Sequence, residues 1–83
     1  MRYTVVWTRM ATNHLANLWM AAPDRQAVTD AADRLEVALR KDPISNATSL
    51  GRFYVRTDDP IAVLFEFLPD DCMVRVLSVR RTP

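Results

Sequence analysis

The chain has 83 residues, of which 49% are hydrophobic and 25% charged, enough for one domain with one core and too apolar for a disordered chain. A net charge of +1, from 11 basic and 10 acidic residues, gives no global basic field of the kind that marks nucleic-acid binding. One cysteine (Cys72), one histidine (His14) and one glycine (Gly51) exclude an internal disulfide, a zinc or iron centre and a glycine-rich phosphate loop.

Residues 2–8, RYTVVWT, set Tyr3, Val5 and Trp7 against Thr4, Val6 and Thr8. β-Branched and aromatic residues at period two predict a strand. Thr8 is suited to cap a helix that starts at Arg9. Ala11, Leu15, Leu18, Trp19 and Ala22 then form one apolar stripe at helical spacing. The helix should stop before Pro23, which disfavours helical geometry in the residue ahead of it.

Pro23 and Asp24 suit the first turn of a second helix, with Val28, Ala31, Ala32, Leu35, Ala38 and Leu39 as its buried stripe. Asp30 with Arg34, and Glu36 with Arg40, are spaced for ion pairs on the solvent side. Arg40 and Lys41 complement the negative helix end, and Pro43 closes the element. The short connection implies an antiparallel helical hairpin.

Residues 44–50, ISNATSL, read as a polar link. Three strands should follow, at 52–57, 61–68 and 72–80, separated by Asp58-Asp59-Pro60 and Pro69-Asp70-Asp71. Such tight spacing implies antiparallel hairpins. The expected fold is therefore α+β, in the order β-α-α-β-β-β: a two-layer sandwich with the helical hairpin packed on one face of a four-stranded antiparallel sheet.

Catalytic chemistry is sparse. Ser45, Ser49 and Ser78 lack the setting of a nucleophile, and His14 reads as a solvent- or boundary-facing residue. The pairs Asp58–Asp59 and Asp70–Asp71 fall at turns, where carboxylates favour turn formation and solubility. The main candidates lie on the sheet. With Phe53 and Val55 facing the helices, Arg52, Tyr54 and Arg56 would share the open face, and Arg80 would join them if Val74, Val76, Ser78 and Arg80 share one side. Such a cluster is either an ordinary solvated face or a surface for phosphate and a stacked base.

The β-α-α-β-β-β order, the opening YTVVWT, the Ala11 to Leu15 helix start, IAVLFEF with Glu66, and the closing VRVLSVRR resemble the RelE/ParE toxin superfamily over nearly the whole chain. The resemblance implies a cytoplasmic toxin of a bacterial type II toxin–antitoxin pair, with an antitoxin protein as partner and no cofactor or metal. RelE-like members cleave mRNA on the ribosome with basic residues, whereas ParE-like members inhibit DNA gyrase. Arg56 best matches a basic catalytic position on the strand after Gly51, and Arg80 with Arg81 match the basic cluster ending the last strand. Ala62, however, stands where RelE-like nucleases usually carry an arginine, and no terminal tyrosine follows at Pro83. The near-neutral charge is also unlike that of ribosome-cleaving members.

A ParE-like or degenerate toxin is therefore expected, with a RelE-like endoribonuclease and an inactive interaction module as alternatives. IAVLFEFL and VRVLSV offer apolar residues on both faces of the central strands. That pattern implies cover on the second face, from an antitoxin segment or a second copy forming a homodimer. No membrane association is expected, since no stretch reaches the ~18 apolar residues of a span and the opening MRYTVVWTRM lacks the features of a signal peptide.

Overall fold

The computed structural model describes residues 2–83. Strand β1 (Thr4–Trp7) leads directly into helix α1 (Arg9–Ala21). Thr8 makes that corner as predicted: its backbone is extended, and its hydroxyl accepts from the Ala11 N–H at 3.2 Å. Helix α1 ends one residue short of Pro23, where Arg25 caps its open carbonyls by donating to Trp19 O and Met20 O. The Arg25 guanidinium also lies 4.7 Å from the centre of the Trp19 ring.

Helix α2 (Arg25–Lys41) turns back and buries Val28, Ala31, Leu35 and Leu39. Four more strands follow: β2 (Thr48–Leu50), β3 (Phe53–Asp58), β4 (Ile61–Leu68) and β5 (Met73–Arg81). Gly51, at φ +64°, makes the turn between β2 and β3, a conformation that favours a residue without Cβ. A single 3-10 turn (Pro69–Asp71) joins β4 to β5.

The α+β class and the helix-on-sheet layering match the sequence reading, but the sheet differs in two respects. The described residues form five strands in the order β1-β5-β4-β3-β2, because part of the supposed polar link, Thr48–Leu50, pairs with β3 as an edge strand. All three of its residues are exposed, so no alternation betrayed it. The sheet is also mixed: β1 lies parallel to β5. The helical hairpin carries the chain away from β1 and back, leaving the β3-β4-β5 meander to finish beside it.

The core lies between the helices and one face of the sheet. Phe65, Leu35, Leu39, Ile61, Val28, Val63, Val74 and Val76 are fully buried in it. Tyr3 packs edge-on to Phe67, and Tyr54 stacks on Phe65 with 5.7 Å between ring centres. The Trp7 indole N–H donates to Glu36 Oε1 at 2.9 Å, and Glu36 also pairs with Arg40, one of the two ion pairs expected on α2. The other is not made. Arg34 instead grips both oxygens of Asp58, at 2.8 and 3.0 Å, tying α2 to the β3–β4 turn.

Candidate functional site

The register of the sheet decides which side chains can act together. Tyr54 is paired with Phe65 and Arg56 with Val63, and both partners are core residues. Tyr54 and Arg56 therefore lie on the helix side, and Phe53 and Val55 on the open side, the reverse of the expected arrangement. Alternation gives two faces but does not say which one a helix covers, and Phe-Val against Arg-Tyr-Arg pointed the wrong way. The phenol ring of Tyr54 is used in the core. Arg56 reaches past the sheet edge and donates to Asp42 O at 2.8 Å and Ser45 O at 2.7 Å, holding the end of α2 and the loop after it.

Strand β5 departs from simple alternation. Phe65 is paired with Val76 but Leu64 with Ser78, so Leu77 is an extra residue, a β-bulge. Before it, Val74 and Val76 face the core; after it, Val79 does, while Ser78 and Arg80 turn to the open side. Val76 and Arg80 thus do not share a face, contrary to the sequence reading. The bulge gathers three valines on one side and puts Ser78 and Arg80 on the other. The two-sided apolar character expected of the central strands holds for β4, through Leu64; on β5, Val79, expected on the second face, lies in the core instead.

Arg80 and Arg81 consequently separate. Arg81 is on the helix side, with one nitrogen 2.8 and 2.9 Å from the two oxygens of Asp24 at the start of α2. This hydrogen bond, with the positive charge behind it, holds the Asp24 carboxyl below its ordinary range, and the carboxylate in turn raises the guanidinium. Arg80 projects from the open face into a pocket of about 150 Å³, lined by Leu50, Val55, Val63, Leu64, Ser78 and Arg80. Arg52 belongs to the same side, with its guanidinium 5.1 Å from the centre of the Phe53 ring. Arg75, also on this face, is paired with Glu66 at 3.2 Å. Among the described residues neither Arg52 nor Arg80 has an acidic partner.

Of the five nominated residues, only Arg52 and Arg80 lie on the open side, and the register keeps them apart: Arg80 is level with Ala62 and Thr57, Arg52 at the far end of β3 ahead of Phe53. Tyr54, Arg56 and Arg81 are engaged elsewhere. The pocket's aliphatic wall was not foreseen, since it depends on β2 and on the bulge. A second apolar feature lies between the helices, a groove of about 390 Å³ lined by residues including Leu15, Trp19, Met20, Val28 and Ala32. Trp19 and Met20 are 40% and 59% exposed, which places them at a surface rather than in the core. Among the described residues no three His, Cys, Asp or Glu side chains come together to hold a metal ion. No described helix is long and apolar enough to cross a membrane.

No family model and no curated protein matches the sequence. Solved structures do. A chain of the RelBE2 toxin–antitoxin complex from Mycobacterium tuberculosis superposes with a TM-score of 0.82 at 17% identity, covering 99% of this chain and 93% of that one. A chain of the ParDE toxin–antitoxin system from P. aeruginosa gives 0.75 at 17% identity, over 99% and 98%. The isolated E. coli RelE toxin gives 0.65 at 13% identity, over 98% and 85%. At these identities the likeness is one of architecture, and it spans almost every residue: the chain has the fold of the RelE/ParE toxins.

Proposed function

We propose that this chain is the toxin of a type II toxin–antitoxin pair, acting in the ParE-like manner by docking on a protein target and held inactive by an antitoxin. The observation that carries the choice is the division of the arginines. Arg56 is spent on backbone carbonyls and Arg81 on Asp24, which leaves Arg80 beside a wall of Leu50, Val55 and Leu64. Cleavage of an RNA strand needs groups that move protons as well as a cation for the phosphate. A single guanidinium beside aliphatic side chains is better suited to an acidic side chain of a protein, flanked by apolar contacts.

The solved complexes that share this fold contain antitoxins, and the groove between α1 and α2 supplies a seat for one. An amphipathic antitoxin helix laid there would cover Trp19 and Met20, in the helix-in-groove mode of peptide recognition. The endoribonuclease reading keeps one observation in its favour: among the described residues Arg80 has no acidic partner on the open face, as a phosphate contact requires.

The direct test is growth. Induced alone in a bacterial host, the chain should arrest division, and co-expression of the protein encoded beside it should restore growth. An unaltered growth curve at verified soluble expression would overturn the toxin reading in favour of an inactive interaction module.

A further inference from the structure

Without the extra residue at Leu77, alternation would keep Ser78 and Arg80 on the Val76 side of β5, facing the helices, and put Val79 on the open face. The aim of Arg80 into its pocket therefore depends on the bulge staying where it is. Bulges can slip, because moving the extra residue along the strand costs only a local rearrangement of the ladder. Something must fix this one.

Two side chains outside the sheet do so. Strand β1 ends at Trp7, whose partner is Val76; beyond that point β5 has no strand on that side, and α1 lies there instead. The Thr8 hydroxyl donates to Val76 O at 2.8 Å, just ahead of the bulge. Six residues further along the chain, His14 Nδ1 accepts the Val79 backbone N–H at 3.3 Å, just after it. This N–H is left without a strand partner, and a partly buried donor without an acceptor is costly. The imidazole must carry its proton on Nε2 to leave Nδ1 as the acceptor.

We infer that His14 is a positioning residue for Arg80. Together with Thr8 it clasps the bulge from α1 and fixes the register in which Arg80 faces the open pocket. The inference deepens the proposed function, because it rests on that reading for the importance of the pocket; the geometry itself can be tested in the free chain. A merely structural histidine would require bulk, whereas this role requires an acceptor atom at the δ position. Asparagine supplies one through Oδ1. Leucine has the bulk without the acceptor.

The experiment is NMR on the purified full chain and three variants. In the native protein, long-range ¹H–¹⁵N spectra at neutral pH should show His14 with an unprotonated Nδ1, and cross-relaxation should connect Arg80 with the methyls of Val55 and Leu64. In His14→Leu, the Val79 amide should exchange roughly tenfold faster, as expected for loss of one hydrogen bond, and the Arg80 contacts should fade. His14→Asn should retain both. Arg80→Ala, induced in cells, should relieve growth arrest. If it does not, the pocket is not the working surface and the proposed function loses its support, while the NMR result on His14 still stands or falls by itself. An Nδ1–H tautomer in the native chain would overturn the inference, and so would intact Arg80–Leu64 contacts in His14→Leu. The native tautomer decides the matter even if a variant fails to fold.

Discussion

The guanidinium of Arg81, in the last strand, sits across both carboxylate oxygens of Asp24, at the start of the second helix. The contact joins two points 57 residues apart and determines which of the neighbouring arginines 80 and 81 is available for binding. It also has a pH signature. The Asp24 carboxyl is held below its ordinary value of 3.8 in the folded chain, so the unfolded chain takes up a proton there first. The resulting stability is complete above that ordinary value and is lost as the pH falls through the lower, folded one. Denaturant midpoints measured between neutral and strongly acid pH should fall more steeply for the native chain than for Asp24→Asn. The variant should start lower and have the flatter acid limb.

Arg56 is a catalytic candidate in the sequence; in the fold its guanidinium donates to the carbonyls of Asp42 and Ser45. Arg56→Ala should cost about 1.5–3 kcal/mol, the range for hydrogen bonds involving a charged group, by releasing the carbonyls of Asp42 and Ser45. Growth arrest should persist wherever the variant remains folded. Chemical denaturation together with the growth assay checks both halves of this expectation.

Much of the fold was legible because its signals are local. The Thr8 cap, the stripe of α2 and the stop before Pro23 depend on residues a few positions apart, and each was found where the sequence put it; the stripe of α1 was found only in part, since Trp19 lies at the surface. The errors concern relations between distant segments. Thr48–Leu50 is a strand only because β3 offers it an edge. The direction of β1 depends on where β5 ends up, and Tyr54 faces inward because Phe65 is its partner. The bulge at Leu77 leaves no mark in VRVLSVRR; reading it requires knowing that Leu64 meets Ser78 while Phe65 meets Val76. The candidate site inherits all of these errors, which is why the nominated residues do not converge and only Arg80 lines the open pocket.

The core is small, so single truncations in it should have large effects. Leu35 is 1% exposed at the centre of the helix–sheet interface, and Leu35→Ala should cost about 2–5 kcal/mol. A domain of this size has total stability on the order of 5–10 kcal/mol, so thermal melting should show a variant that is marginal or unfolded. Binding of the antitoxin should recover part of the loss, as a drop in melting temperature that narrows when the partner is added.

The groove between the helices makes the opposite prediction. Trp19→Ala removes a half-exposed ring that stacks on Arg25 and donates to Thr29, so it should lower the melting temperature of the free chain, though less than Leu35→Ala does. Against the antitoxin it should behave as a hot spot, weakening the complex by about 2 kcal/mol or more, roughly thirtyfold in Kd. Titration calorimetry with the protein encoded beside this chain measures it. Unchanged affinity would mean that the antitoxin binds elsewhere.

The division of the arginines is tested most directly by primer extension on mRNA held in programmed ribosomes and incubated with the purified chain. On the proposed reading, Arg80 beside Leu50, Val55 and Leu64 docks on a protein, and the account predicts full-length transcripts at every codon even with the chain in molar excess. Cleavage positioned by the codon, and abolished in Arg80→Ala, would contradict it and make the open face a nuclease site.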